Sequence, residues 1–230
     1  MSRTVSRLSA GLLLVPALLA ASIAQAHQAG DIIVRAGAVT VDPREDSSGI
    51  KLAGADVGGK ATLDSNTQLG LNFAYMLTDK VGIELLAATP FSHDVGIAGS
   101  PAGVDELNGK LGSIKHLPPT LSLVYYPLDN ASAFKPYVGA GINYTWFFDE
   151  DLSSAAKNNL GFDGFSLENS WGLAAQIGAD YMLNDNWMVN AQVRYIDIDT
   201  TGKTSLGGAP VKVDVDVDPW VYMVGLGYKF

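Results

Sequence analysis

The sequence predicts an all-β protein, an eight-stranded antiparallel transmembrane β-barrel with short periplasmic turns and four longer extracellular loops. Three observations predict it: a secretory amino terminus, apolar residues spread in alternating segments, and a terminal strand bounded by aromatic residues. In residues 220 to 230, large apolar side chains occupy every second position, with small, apolar or cationic residues between them. A period of two indicates a β-strand. Aromatic residues at both ends of an apolar face are typical of a strand that crosses a bilayer.

Residues 1 to 26 have the pattern of a secretory signal peptide. Arg3 and Arg7 precede an apolar stretch at residues 10 to 23, and Ala24-Gln25-Ala26 is a small-x-small cleavage site. An anchoring transmembrane helix fits less well, because the apolar stretch is shorter than the roughly 20 residues that span a bilayer. We therefore expect one mature domain, residues 27 to 230, in the outer membrane of a Gram-negative bacterium.

Composition excludes several classes of function. The 230 residues carry a net charge of −9, which argues against a nucleic-acid partner. The sequence contains no cysteine, so disulfides, thiol nucleophiles and thiolate metal sites are excluded. His27, His93 and His116 lack metal-ligand spacing. Because no acid–base pair or Ser/His/Asp arrangement can be identified either, we expect no enzymatic activity, no metal and no cofactor.

The chain alternates strands with connections that are short and long in turn. Thr78-Asp79-Lys80 joins two strands so tightly that they must form an antiparallel hairpin. A soluble barrel would bury its apolar face inward, and a sandwich would not need aromatic residues at both strand ends. The long connections are predicted as polar loops near residues 43–65, 92–117, 149–169 and 200–210. The predicted strands lie near residues 31–42, 68–77, 81–87, 121–127, 137–148, 171–181, 187–195 and 213–230.

The two faces of these strands carry different residue types. The predicted aromatic girdle on the lipid face comprises Trp146, Phe148, Trp171, Tyr181, Trp187, Tyr195, Trp220, Tyr222, Tyr228 and Phe230. The predicted polar lumen contains Arg35, Glu84, Gln176, Asp180 and Arg194. In a narrow eight-stranded barrel such groups can pair across the interior and fill it. We favour this plug over a polar pore that runs the full length of the barrel.

Beyond the outer aromatic positions the pattern inverts. In the outer parts of the strands, the positions in line with the lipid-facing residues are acidic. The positions in line with the lumen-facing residues are aliphatic. If no bulge shifts the register, these strands project above the bilayer as a cup that is apolar inside, suited to an apolar solute. Alternatively, bulges reset the parity or the residues only pack beneath the loops. The predicted funnel residues are Val39, Val41, Leu86, Ile196, Ile198, Val213, Val215 and Val217.

Pro90 lies at the outer end of the third strand. Proline has no backbone N–H, so one rung of the ladder to the neighbouring strand is absent. A gap there would let an apolar solute leave the cup sideways into lipid and avoid the polar lumen. The sequence is equally compatible with a proline that simply ends the strand.

Two features indicate contacts with the cell envelope. Phe230 is an aromatic carboxy-terminal residue and resembles the signal that outer-membrane barrels present to the barrel assembly machinery. Asp214, Asp216 and Asp218 form an acidic ladder where the chain would meet lipopolysaccharide and its divalent cations. We favour a solvated acidic face over a cation site.

The chain resembles the outer membrane protein W family over nearly all of residues 27 to 230. The resemblance implies an eight-stranded barrel with a hydrophobic external funnel and passive uptake of small hydrophobic molecules. It also implies lateral release through the wall near Pro90. The matching segments are His27-Gln28-Ala29-Gly30-Asp31, Ala88-Thr89-Pro90-Phe91, Leu117-Pro118-Pro119-Thr120-Leu121, Pro136-Tyr137-Val138-Gly139, Phe147-Phe148-Asp149-Glu150, Ser170-Trp171-Gly172 and residues 213–230, especially Val217-Asp218-Pro219-Trp220.

Two other functions remain open. The barrel would instead pass small polar solutes such as amino acids through the lumen, lined by Arg35, Glu84 and Arg194. Alternatively, it is a structural or adhesive barrel without flux, as a fully plugged lumen would predict.

Overall fold

A computed structural model describes residues 27–101, 105–128 and 132–230, so the predicted signal peptide lies outside the described residues. Within them, a 3₁₀ turn spans Asp105–Leu107 and a π-helical turn spans Ala156–Leu160. No helix in this part of the chain is long and apolar enough to cross a membrane. In chain order the strands are β1 (Ile32–Asp42), β2 (Asp46–Ser47), β3 (Lys51–Leu52), β4 (Ala55–Asp56), β5 (Lys60–Leu63), β6 (Asn66–Met76), β7 (Val81–Ala88), β8 (Phe91–Ala98), β9 (Gly109–Leu117), β10 (Thr120–Tyr125), β11 (Phe134–Leu152), β12 (Phe162–Leu167), β13 (Ser170–Met182), β14 (Trp187–Ile196), β15 (Asp199–Leu206), β16 (Ala209–Asp216) and β17 (Trp220–Lys229).

Eight of these strands close into the predicted antiparallel barrel. Their order around the wall is β10, β7, β6, β1, β17, β14, β13 and β11, and β11 pairs with β10 to complete the ring. The first and last strands, β1 and β17, pair in one continuous ladder that runs from Ile33↔Lys229 to Asp42↔Trp220. Closure satisfies the backbone hydrogen bonds that lipid cannot satisfy. The eight-stranded barrel predicted from the sequence is therefore confirmed.

The outside of the wall is apolar. Leu71 and Ile177 are 39% and 62% exposed, and both point away from the lumen. The structure places the predicted girdle residues on this outer surface, where Trp146 packs on Phe148 with ring centroids 5.1 Å apart. Trp146, Phe148, Trp171, Tyr195, Trp220 and Tyr222 lie toward the end that carries the long connections, and Tyr181, Trp187, Tyr228 and Phe230 lie toward the other end.

Buried ion pairs fill the lumen and cross-link the wall. Asp180 accepts hydrogen bonds from Arg35 Nε at 2.9 Å and Nη2 at 2.5 Å. Glu84 lies 3.3 Å from Arg35 and accepts a 2.8 Å bond from Arg194 Nη2. Gln176 donates to the same Glu84 oxygen at 2.8 Å. All five side chains are at most 7% exposed, and the two arginines balance the two carboxylates. The predicted polar lumen residues therefore form one charge-balanced network across β1, β7, β13 and β14.

The four long connections are confirmed, but the expectation that they are irregular polar loops is wrong, because each contains β-strands. Beyond the bilayer, β5 pairs with β8, β8 with β9, and β9 with the outer part of β11. A second sheet contains β12, β15, β16, β3 and β4, with β2 paired to β16. The polar residues of these segments alternate with apolar ones, and the apolar ones face inward between the two sheets.

The predicted eighth strand, residues 213–230, is also wrong as a single element. Residues 209–216 form β16, which pairs with β15 in a hairpin that turns at Gly207-Gly208, where φ is +56° and +83°. The chain then bends at Asp218, where φ is +40°, before β17 begins. A left-handed residue followed by Pro219 cannot continue a ladder, so the strand divides there.

We expect Ile177→Lys to impair insertion by about 2–4 kcal/mol, because a cation would replace an aliphatic side chain on the lipid face between the two aromatic ends of β13. Urea titration of folding yield in lipid vesicles measures the effect, with Ile177→Val as the control. An unchanged midpoint for the lysine variant would mean that this face does not contact lipid.

Asp180→Asn should destabilise the barrel by about 3–5 kcal/mol, because it leaves two buried arginines with Glu84 as their one carboxylate partner in this network. The free energy of unfolding is read from the tryptophan fluorescence of the refolded barrel in urea. Asp185→Asn, in an exposed turn, is the matched control and should have little effect. Equal stabilities of the two variants would contradict the charge-balanced network.

Candidate functional site

The structure brings the predicted funnel residues together above the lumen. Seven of them are at most 6% exposed and belong to one apolar cluster, against which Val213 packs as a partly buried member. Val39, Val41 and Leu86 reach it from the barrel strands, as the parity predicts. Ile198 and the valines of residues 213 to 217 reach it from the segment between β14 and β17, which includes the β15–β16 hairpin. The predicted face is therefore apolar and inward, but two of its strands are not straight extensions of the barrel.

The two extracellular sheets line an apolar cavity of about 50 Å³. Its lining is aliphatic and aromatic, with few polar contributors such as Thr200 and Lys203. Sequence reasoning missed much of this lining because it assigned the segments to polar loops. The available signal was the alternation of apolar with polar or small residues at 93–98 and 162–167. The missed residues include Ile50, Val95, Ile97, Phe162, Phe165 and Leu167.

A smaller cavity of about 10 Å³, room for roughly one water-sized group, lies deeper, and it shares Leu63 and Val217 with the larger space. Ile114 and Ile198 line it together with two histidines. The funnel, defined here as these two cavities and their walls, therefore narrows to a floor that is apolar except for imidazole groups and the Thr145 hydroxyl. The polar network of the lumen lies on the membrane side of this floor.

His93 of β8 and His116 of β9 form a buried pair at the floor. Their Nε2 atoms are 2.9 Å apart, and His93 Nδ1 lies 2.5 Å from the carbonyl oxygen of Asp64. Phe91 and Phe147 flank His116, with ring centroids 5.4 and 5.7 Å from its own. Burial disfavours the charged forms, which lowers the pKa of His93 and, with His93 alongside, lowers the pKa of His116 to about 3. Both rings are therefore neutral near pH 7.

The barrel wall is unpaired beside the funnel. The β7–β10 ladder ends at Leu86↔Thr120, and the β8–β9 ladder begins at Phe91↔His116. Between them, residues 87–90 face residues 117–119 outside both ladders. This segment includes Pro90, Pro118 and Pro119, none of which has a backbone N–H. A pocket of about 230 Å³ opens there, lined by Ala87, Ala88, Leu117, Pro118, Pro119, Tyr144 and Trp146.

Asn143 holds one edge of this gap. Its Nδ2 lies 3.1 Å from the carbonyl oxygens of both Pro118 and Pro119. The backbone N–H of Tyr144 also donates to the Pro119 carbonyl at 3.2 Å. The carbonyl groups of the two prolines are thus satisfied from β11, which leaves the side of the gap near β7 without hydrogen bonds to them.

The acidic residues at the outer surface group differently from the predicted ladder. Asp218 lies with Asp197 and Asp199, with carboxylate oxygens within 4.8 Å of one another. Asp218 also accepts hydrogen bonds from the Tyr195 hydroxyl at 2.8 Å and the Ile198 N–H at 3.2 Å. Asp214 instead faces cations and the Thr201 hydroxyl, 2.9 Å away. Because the chain bends at Asp218, the prediction that Asp214, Asp216 and Asp218 form one regular ladder is wrong.

The histidine pair predicts a pH-dependent loosening of β8 and β9. The folded pKa of His116 lies below its unfolded value of 6.5, so unfolding takes up a proton as the pH falls, and stability is lost between 6.5 and about 3. At pH 5 the loss from His116 is about 2 kcal/mol. Amide hydrogen exchange of β8 and β9, corrected for intrinsic rates, should quicken between pH 7 and 5. His116→Phe should reduce this dependence, and an identical response in that variant would contradict the assignment.

Comparison with known proteins identifies the family. The OmpW family profile matches residues 28–230. Outer membrane protein W of Vibrio cholerae is 46% identical over 220 residues, which cover 96% of this chain and 97% of that protein. The crystal structure of the outer membrane protein OprG from Pseudomonas aeruginosa is similar, with a TM-score of 0.84, 56% identity and coverage of 90% of this chain and 98% of that one.

A more distant relative is the dibenzothiophene metabolism operon protein PahQ of Pseudomonas aeruginosa, 28% identical over 173 residues, which cover 75% of this chain and 76% of PahQ. The profile match spans the barrel, the funnel and the wall gap together. The chain therefore belongs to the OmpW family and is an outer-membrane β-barrel of a Gram-negative bacterium.

Proposed function

We propose that this protein mediates passive uptake of small hydrophobic molecules, which enter the extracellular funnel and leave laterally into the membrane. One observation carries the proposal: the apolar funnel stops above a closed, charged lumen, while the wall beside its floor is unpaired at Pro90, Pro118 and Pro119. His116 lines the floor and the next residue, Leu117, lines the pocket in the wall. The two spaces therefore lie on opposite faces of β9 at consecutive residues.

The lumen is an unfavourable route for an apolar solute. Passage would have to separate Arg35 from Asp180 and Glu84, and separating buried ion pairs costs several kcal/mol. Tyr126 and Tyr137 also occupy the interior at 2% and 0% exposure. Lateral release replaces one apolar environment by another and requires no charge to be separated.

The funnel supplies a modest driving force. A solute that buries about 150 Å² of apolar surface gains about 4 kcal/mol relative to water. Lipid offers a similar environment, so the solute moves on without being trapped. The saccharide layer of lipopolysaccharide is the polar barrier that such a funnel would bypass. Uptake of the solute down its concentration gradient therefore needs no energy source.

The name of a relative also supports the proposal. PahQ takes its name from an operon for the metabolism of dibenzothiophene, an apolar aromatic compound. The carboxy-terminal Phe230 is 70% exposed on the outer wall, where assembly machinery would reach it. We accordingly assign Phe230 a role in assembly, apart from transport.

Pro90→Ala tests the gap, because an alanine N–H can complete the ladder that proline interrupts. We expect slower uptake of an apolar aromatic solute into lipopolysaccharide-containing proteoliposomes, with unchanged flux of a small amino acid. Pro127→Ala, in an exposed segment after β10, is the matched control. Amino-acid flux without apolar uptake in the natural protein would place the pathway in the lumen, and flux of neither solute would favour a structural barrel.

A reversible block makes the test independent of folding. The chain has no cysteine, so Ala88→Cys introduces one thiol at the wall pocket. A bulky methanethiosulfonate reagent should lower apolar uptake, and reductant should restore it in the same vesicles. Leu85→Cys, on the lipid face of the same strand and below the gap, is the control. Equal inhibition at both positions would argue against release through the gap.

A further inference from the structure

We infer that the floor of the funnel is a recognition site for apolar solutes that bear one hydrogen-bond donor, such as phenols and alkanols, and that His116 Nδ1 is the acceptor. This inference rests on the proposed function and names the solute class that the funnel selects. It follows from the hydrogen-bond directions within the histidine pair.

The Asp64 carbonyl sets the tautomer of the first ring. A carbonyl oxygen only accepts, so His93 Nδ1, which lies 2.5 Å from it, carries the proton. A neutral imidazole carries a single N–H, and His93 Nε2 is therefore an acceptor. The carboxylate of Asp64, 3.7 Å from His93 Nδ1, favours the same protonated nitrogen.

The second ring follows from the first. His93 Nε2 lies 2.9 Å from His116 Nε2, so His116 Nε2 must donate its proton to that acceptor. His116 is neutral, and its Nδ1 is consequently left with a lone pair and no proton. Backbone carbonyl, His93 and His116 thus form a directed chain that ends in an acceptor.

That terminal acceptor has no partner in the described protein. His116 Nδ1 is buried and makes no hydrogen bond. An unsatisfied buried acceptor is unfavourable, and a ligand that donates to it removes the penalty. A solute with only acceptor atoms cannot do so.

The surroundings define the rest of the ligand. Ile114, Val41 and Ile198 line the same cavity and are at most 2% exposed. Phe91 and Phe147 restrain the His116 ring on two sides, which keeps its direction fixed. The floor cavity has room for the hydroxyl of such a solute, and the apolar body would lie in the adjoining larger space.

Matched ligands test the inference. We would measure the binding of 4-fluorophenol and 4-fluoroanisole by fluorine NMR to the full barrel in lipid nanodiscs at pH 7, with empty nanodiscs to correct for partition. The natural protein should prefer the phenol over the ether by about tenfold, the effect of one buried hydrogen bond to an otherwise orphaned acceptor. His116→Phe keeps the aromatic stack and should lose this preference while it still binds the ether.

Two variants complete the design. Ile114→Val changes the same cavity without removing the acceptor, and it should weaken both ligands alike. His116→Asn places an amide oxygen near the former Nδ1 and should recover part of the preference for phenol. A preference that persists unchanged in His116→Phe would overturn the inference.

A direct readout covers the case in which the variants fail to fold. In natural protein labelled with nitrogen-15 at histidine, the His116 Nδ1 signal should shift with 4-fluorophenol and stay in place with 4-fluoroanisole. If both ligands bind equally and the signal does not respond, the inference is wrong and the proposed uptake stands. If neither ligand binds above the partition level, the proposed uptake itself fails for this solute class.

Discussion

Hydrocarbon offers no hydrogen bonds, and this constraint governs the whole barrel. Each strand must satisfy its N–H and C=O groups on both neighbours, so the eight strands close into a ring. The wall gap departs from that rule without leaving many orphaned groups, because Pro90, Pro118 and Pro119 have no N–H to orphan. Asn143 and Tyr144 satisfy the carbonyl groups of Pro118 and Pro119. Proline chemistry thus allows an interruption where another residue would need a partner.

The same strands carry two interiors of opposite character. Within the membrane, Arg35, Arg194, Glu84 and Asp180 satisfy one another across a narrow ring, which closes the lumen. Above it, aliphatic side chains line the space and charges face water. An apolar solute that reaches the floor therefore meets charge below and an unpaired wall at the side. The histidine pair lies at this junction and supplies a polar group where the rest of the cavity offers few.

Local pattern predicted much of this arrangement because a strand has a strict period of two. Arg35 in mid-strand identifies the lumen face of β1. The alternation of the strand then predicts which face each of its remaining residues occupies. Val39 and Val41 could be placed in the funnel on the same argument, since β1 pairs continuously with both neighbours as far as Val41. The argument fails where a strand divides, as it does at Asp218, because one left-handed residue resets the direction of the chain.

The sequence alone predicts a secretory signal peptide, the barrel, the two faces of its strands and a proline at the edge of the wall. All of these features depend on residues that are close together in the chain. Tertiary structure alone decided the sheets of the extracellular segments, the depth of the funnel and the partners of His93, His116 and Asn143. His93 and His116 are separated by 22 intervening residues, and only the pairing of β8 with β9 brings their rings together. The alternation of a strand specifies which way a side chain points, but the register between distant strands specifies what it meets.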